Sequence, residues 1–460
     1  MKPRATVPMT QPLARDARFV PPAHGFALYE QLVRQLDAES PEWVRQLRAR
    51  GMAVFRQLGF PTTRLEDWKY TDTRAIVATP FRLAPAPDRA ATRVETVRAS
   101  YDLPHAVTLA FSNGRAVATR DSVASLPAGV RLLSLRDAVV HEPFLVRNVL
   151  AQVAPIEDAS FTALNMALLD DGAVLWVPAH TEVSLPIRLL FVTGDVPGPT
   201  ITCPHNLIVL GEGASATVYE YWIGRSAEPV LANSVTEVLL DRGARLAHTR
   251  ILVDEKETLH MGLTSVRQPR ESRYVSQVFT FAGKWGRVET HTRLEGPDAS
   301  TVLDGLFVAN GSTFVDHHTA IDHVCERTTS RQLYKGVLDE AAHGVFNGKV
   351  FVRPGAFRSD AQQMNKNLLL SDDAEIDTKP QLEIFADDVK CSHGAAIGRL
   401  DDTALFYLRA RGVAAEEARR LLIYAFANEI VERVPDDDVR RHLRQALRLR
   451  LAGAPEEEPW

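Results

Sequence analysis

The sequence predicts a mainly β protein: a right-handed parallel β-helix core, a mixed α/β region before it and a helical domain after it. Three observations lead there. Residues 161–397 consist of short β-type runs separated by tight turns, with no helical period between them. Within that stretch one phrase recurs, an apolar run, then acidic or glycine turn residues, then Ala and a new alternating run: LLDDGAVLWV, VLGEGASATV, LLDRGARLAH, LEGPDASTVL and LLSDDAEID. Helical periodicity is confined to residues 25–59 and to the chain after Asp401. The Gly-Ala or Asp-Ala pairs, at Gly172, Gly213, Gly243, Asp298 and Asp373, are irregularly spaced, so no short strict repeat is implied. Two packed β-sandwiches would satisfy the same pattern. A β-helix fits better, because each coil buries its inward side chains against its neighbours and needs only local turns.

The elements follow in order. Residues 1–22 lack the apolar stretch of a secretory signal and carry several prolines, and are read as a disordered leader. Ser40 and Pro41 suggest an N-cap and first-turn proline, with Trp43, Val44, Leu47, Val54 and Phe55 forming an apolar stripe. Asn113-Gly114 between two apolar runs predicts a two-residue hairpin. These place a mixed α/β region over residues 1–155 and the β-helix over 156–400. Within the β region, Asn347-Gly348 reads as a turn, and Gln362, Gln363, Asn365 and Asn367 as a polar ladder on stacked coils. Residues 401–460 form the helical domain. Its first helix has an acidic start and a stop at Gly412, a second is apolar nearly all round over 421–431, and a third begins near Asp436. Removing 401–460 is expected to leave the β-helix folded.

Composition narrows the function. An apolar content of 45% and a charged content of 24% over 460 residues describe a globular chain, and a formal charge of −5 argues against a general nucleic-acid binder. No segment approaches the roughly 20 apolar residues needed to span a bilayer. The three cysteines, Cys203, Cys325 and Cys391, are odd in number and far apart, which favours a reducing cytoplasm over a disulfide framework. No CxxC is present, so the chain cannot by itself offer four thiolates to a cluster. Cys203 and Cys325 read as small buried hydrophobes. Neither GxxxxGK[ST], GxSxG nor HExxH occurs, which leaves ATP hydrolysis and two families of hydrolytic chemistry without their motifs.

Two places carry candidate ligands. Cys391 and His393 lie two residues apart in a segment that reads as a strand, so both side chains face one way, and thiolate and imidazole both bind iron or zinc. Two groups do not close a metal site, and a buried cysteine beside a hydrogen-bonded histidine satisfies the same spacing. The run DHHTAIDH, residues 316–323, is the densest imidazole cluster. As a strand it sends His318 and Asp322 to one face and His317 and His323 to the other, which suits a polar ladder better than a single metal.

The wording around these residues supplies more. TKPQLEIFADDVKCSHGAAIG (378–398), RLDDTALFYLRARG (399–412), TSRQLYKGVL (329–338), GVFNGKVFV (344–352), NKNLLLS (365–371), RLEDWKYTD (64–72) and FTALNMALLDDG (161–172) together resemble the SufD branch of the SufB/SufD scaffold family of the SUF iron–sulfur cluster assembly machinery. The resemblance spans residues 60–430 and implies the β-helix. It also implies a non-catalytic scaffold that forms a heterodimer with the paralogous SufB and docks the ABC-type ATPase SufC, with a homodimer when expressed alone. In that family a histidine of the VKCSHGA motif is implicated in building the nascent cluster with a SufB cysteine and carboxylate. It matches His393 here, with Cys391 as the neighbouring thiol. The SufC contact would fall at Leu405, Phe406, Tyr407, Arg409, Arg411 and Gly412 and the helix after them, and the strand holding His317, His318 and His323 would lie near SufB. No cofactor would be held stably by the chain alone; a transient iron–sulfur cluster would form at the SufB interface. The N-terminal cysteine group of SufB-type sequences is not seen. Other readings of the β-helix are a polysaccharide-active enzyme and a metal-dependent enzyme built on residues 316–323.

Overall fold

In the computed structural model, which describes residues 18–451 apart from 39, 86–89, 118–124, 195, 255–256 and 282, consecutive strands alternate between two parallel sheets. One sheet stacks Ala173–Val177, His205–Leu210, Val230–Leu240, Thr258–Gln268, Trp285–Leu294, Phe314–His323, His343–Val352 and Glu375–Ile384. The other stacks Val107–Ser112, Ile187–Gly194, Ser215–Arg225, Arg245–Asp254, Arg273–Phe281, Ser300–Ala309, Thr329–Leu338, Asp360–Leu369 and Lys390–Gly398. Each strand thus pairs with the strand two places along the chain, the mark of a parallel β-helix. Within these two sheets, antiparallel pairing is confined to one end. There Arg115–Val117 folds back on Val107–Ser112, and Arg131–Ser134 runs antiparallel to Ala173–Val177.

The coil period is set at one corner. Gly213, Gly243, Glu271, Asp298, Arg327, Arg358 and Asp388 all adopt left-handed backbone, with φ between 54° and 67°, at intervals of 27 to 31 residues. Most are followed by a small buried residue, among them Ala214, Ala244, Ser272, Ala299, Thr328 and Ser359. The turns also bond to one another: Gly213 N–H donates to Arg242 O at 2.8 Å, Gly243 N–H to Arg270 O at 3.0 Å and Arg358 N–H to Asp388 O at 2.7 Å. Because glycine gives way to Asp, Glu and Arg at this position, the sequence hides the period that the stacked turns reveal.

Several local expectations hold. Asn113 and Gly114 form the tight turn, with φ of 49° and 84°. Asp401 caps the helix Asp402–Arg409 by accepting from Thr403 N–H at 2.8 Å, and Asp436 caps Asp437–Arg450 by accepting from Asp438 and Val439 N–H. Others are corrected. Ser40 does not cap Glu42–Leu58; its hydroxyl donates to Leu36 O and accepts from the buried Arg48 guanidinium. Asn347-Gly348 is no turn but lies inside the strand His343–Val352, because Gly348 makes room for the Gln363 amide. Gln363, Asn365 and Asn367 point inward and are buried, whereas Gln362 is exposed on the outer face and outside the ladder.

The C-terminal helices pack against the solenoid. Ile423, Ala427, Ile430 and Val431 of Ala415–Val431, with Val439, Leu443 and Leu447 of Asp437–Arg450, share one core with Tyr219, Phe279, Leu306 and Leu333 on the outer face of a sheet. Removing residues 401–460 would bare that face.

The interior is polar in places. Arg250 and Glu220 form a fully buried ion pair at 3.1 Å, and His248 Nε2–H donates to the same carboxylate at 2.9 Å. Burial alone would raise the Glu220 carboxyl, but Arg250 and His248 lower it to about 2. His317 stacks on the Phe307 ring at 5.3 Å, and His323 bonds Thr328 and Ser330 at 2.8 Å each. The close packing includes Gly305, where an added Cβ would fall 2.2 Å from the Tyr334 ring on the next coil.

Two predictions follow from this interior. Gly305→Ala has to displace Tyr334, so its thermal unfolding midpoint should drop by the equivalent of about 1–3 kcal/mol; an unchanged melting curve would show that the coil can yield. Burial holds His317 at about 3 and His323 at about 4, below the 6.5 of the unfolded chain. Both are therefore neutral when folded, and the stability they contribute is full above pH 6.5 and is lost as pH falls toward 4 and 3, at about 1.4 kcal/mol per pH unit for each imidazole. Melting curves between pH 7.5 and 5 should show a shallower decline for His317→Gln than for the parent chain, and equal slopes would exclude His317 as a source.

Candidate functional site

The last coil ends the solenoid with no coil beyond it. Glu375–Ile384 and Lys390–Gly398 are the edge strands of their sheets, ten and nine residues long, each paired on one side only. The side chains that would normally pack on a following coil therefore meet solvent. Their register identifies them: Cys391, His393, Ala395 and Ile397 continue the inward row of Ala361, Gln363, Asn365 and Asn367. Ile384 and Ile397 are 44% and 52% exposed, and the adjacent Phe385 is 57% exposed. An apolar rim with an imidazole in it is unusual for a surface left bare.

The strand places Cys391 and His393 on one face, as their spacing predicts, but in different surroundings. Cys391 is half-buried against the main core, and burial pushes its thiol up from its ordinary value. His393 is exposed. Of the pair, the imidazole is the one that can meet a metal without first losing a proton from a desolvated thiol. Cys203 is buried and Cys325 half-buried with its thiol donating to Glu295 O, and burial raises both, so neither offers a thiolate.

The 316–323 cluster splits as its alternation requires. His317 and His323 are 1% and 0% exposed inside the solenoid and cannot touch a partner, so the expected contact role is corrected for both. His318 is 7% exposed on the outer face, where it lies against Asp316 and Arg287 beneath an N-terminal segment, and it too is covered. Asp322 pairs with Arg353 at 2.7 Å. Among the described residues no group of three or more His, Cys, Asp or Glu is placed to hold a metal ion.

The structural role of that covering segment depends on partners far away in the chain. Residues 64–72 form a strap over the outer face of the solenoid. Arg287 stacks over the Trp68 ring at 3.9 Å and donates to Asp67 O at 2.7 Å and to Asp316 Oδ2 at 2.8 Å, while Thr71 donates to the same oxygen at 2.5 Å. Asp67 pairs with Lys349 and Glu66 with Lys379, the latter on the edge strand itself. Burial would raise the Asp67 carboxyl, but Lys349 holds it below its ordinary value. The strap thus spans successive coils and ends at the rim. The acidic and aromatic letters of RLEDWKYTD were visible; their partners, more than 200 residues away, were not.

A second exposed surface lies on the helix Asp402–Arg409, which has no buried residue and packs against Ala415–Val431. Phe406 and Tyr407 are 73% and 57% exposed, Leu405 is half-buried, Arg409 is exposed, and Arg411 stacks over the Tyr407 ring at 3.5 Å. Gly412 ends the segment in left-handed backbone, φ 90°. The predicted docking residues therefore form one accessible patch. Among the described residues no helix is long and apolar enough to cross a membrane.

Comparison with known proteins agrees with this architecture. Residues 24–189 match the family model for the SufBD protein N-terminal region, and residues 191–426 match that for the SUF system FeS cluster assembly SufBD core domain. An iron–sulfur cluster assembly SufBD family protein of Synechocystis is 34% identical over 85% of this chain and 88% of its own length. The iron–sulfur cluster assembly protein SufD of Escherichia coli is 29% identical over 86% and 90%, and that of Bacillus subtilis 25% identical over 88% and 93%. The chain belongs to the SufBD family of iron–sulfur cluster assembly proteins.

Proposed function

We propose that this chain is a non-catalytic, SufD-type scaffold subunit working in the cytoplasm, and that it pairs through the open end of its solenoid with a SufB paralogue. The nascent iron–sulfur cluster is cargo, assembled between His393 and ligands of SufB and not kept by this chain alone. SufC docks on the patch around Phe406 and Tyr407. The observation that carries the reading is the position of His393, an exposed imidazole on an edge strand with one side open, amid an apolar rim. An edge strand of nine residues is a ready template for a strand of another chain, which would bury the rim and bring partner ligands to the imidazole. With one exposed imidazole and a raised thiol, a complete ligand set needs a second chain. A second copy of this chain could occupy the same edge when SufB is absent.

His393→Ala should leave folding and SufB pairing intact, since an exposed side chain contributes little to stability. Maturation of iron–sulfur enzymes in a strain dependent on this system should fall at least about tenfold, the scale of losing a metal contact, with a milder loss for Cys391→Ser. Normal maturation in His393→Ala would refute the assignment. The docking patch is tested separately by Phe406→Ser with Tyr407→Ser, which touches no core residue. Its affinity for SufC should weaken by about tenfold or more, as expected for truncating exposed aromatic anchors, while SufB pairing is unchanged; parent-like SufC binding would remove the patch from the interface.

A further inference from the structure

Directly behind His393 lies a buried polar atom with no partner. Gln363 is 3% exposed, and its Oε1 has no hydrogen bond. The rest of its amide is tightly held. Nε2 donates to Gln332 Oε1 at 2.9 Å, and Gln332 Nε2 donates in turn to Thr319 Oγ1 at 2.6 Å. The far side is closed by Gly348, where any Cβ would lie 2.0 Å from Gln363 Nε2. In a carboxamide the carbonyl and the opposed N–H point in opposite directions. Gln363 donates back to Gln332 on the preceding coil, so its opposed carbonyl is aimed forward, at the terminal coil.

The residue in register with Gln363 on that coil is His393. Neighbouring strands lie about 4.8 Å apart, so rotation of the exposed imidazole brings a ring N–H to the carbonyl. Other polar groups at this level are already engaged. Asn365 Oδ1 accepts from Thr378 Oγ1 at 2.8 Å and from Asn367 Nδ2 at 2.5 Å, and Asn365 Nδ2 donates to Tyr334 O at 3.2 Å.

We propose that Gln363 is the positioning residue of His393. Its carbonyl accepts one imidazole N–H, fixes the neutral tautomer and turns the lone pair of the other ring nitrogen out of the open end of the solenoid. This rests on His393 acting as a cluster ligand. A metal-binding histidine needs such a partner, because the tautomer and ring orientation are set by what the other nitrogen donates to. Gln332, itself held across the interior by Thr319 on the facing sheet, keeps that acceptor rigid.

The test uses the full chain labelled with ring-15N histidine at pH 8, with the His393 signals identified by their loss in His393→Ala. In the parent chain one tautomer should exceed the other by about tenfold, the factor one net hydrogen bond supplies. In Gln363→Leu the ratio should relax to that of free histidine in the same buffer. The double variant Gln332→Leu, Gln363→Leu removes donor and acceptor together, so it keeps the test open if the single variant folds poorly; it should give the same relaxation. An identical tautomer ratio in parent and variants overturns the proposal. Lost maturation in His393→Ala with no tautomer change would refute the positioning role alone. A tautomer released by Gln363→Leu with normal maturation in His393→Ala would refute the ligand reading, and the role with it, and leave only the contact.

Discussion

Every coil of a parallel solenoid has its backbone hydrogen bonds completed by the coils on either side, so the first and last coils carry the structure's unsatisfied edges. Here the two ends are treated differently. At the N-terminal end the sheets finish in Arg115–Val117 and Arg131–Ser134, three- and four-residue strands that run antiparallel to the stack. Short reversed strands are poor templates for another chain. At the C-terminal end two full-length parallel strands are left open. The end left open is also the one that holds the exposed imidazole of His393.

The rest of the molecule keeps that end in place. The strap over residues 64–72 fastens successive coils through Arg287, Asp316, Lys349 and Lys379, the last on an edge strand. The C-terminal helices cover the opposite sheet and return through Lys335, whose ammonium donates to Phe426 O at 2.8 Å and lies over the Phe426 ring. These contacts join sequence-distant segments, so the final coils are held by more than their own ladder. Buried ion pairs such as Glu220–Arg250 are weak evidence of added stability, since their desolvation opposes their attraction. Their consequence is geometric, because their partners have to sit in one register.

The interior differs from a uniformly apolar solenoid for a related reason. Gln332 and Gln363 repeat an amide at the same height in successive coils, and Thr319 on the facing sheet anchors the first of them. A slip of one residue would turn each inward group to the outer face. Such rows specify register more sharply than interchangeable aliphatic side chains do, and register decides where His393 emerges.

The sequence by itself determined the alternation of strand and turn, the helices at both ends with their Asp401 and Asp436 caps, the Asn113-Gly114 hairpin and the shared face of Cys391 and His393. All of these depend on neighbours within a few residues. Only the tertiary structure decided that Asn347-Gly348 lies within a strand, that His317 and His323 are interior while His393 is exposed, and that residues 64–72 grip coils far along the chain. The physical reason is that alternation places side chains on faces, but burial depends on what stacks against each face. His317 has a coil beyond it and His393 has none.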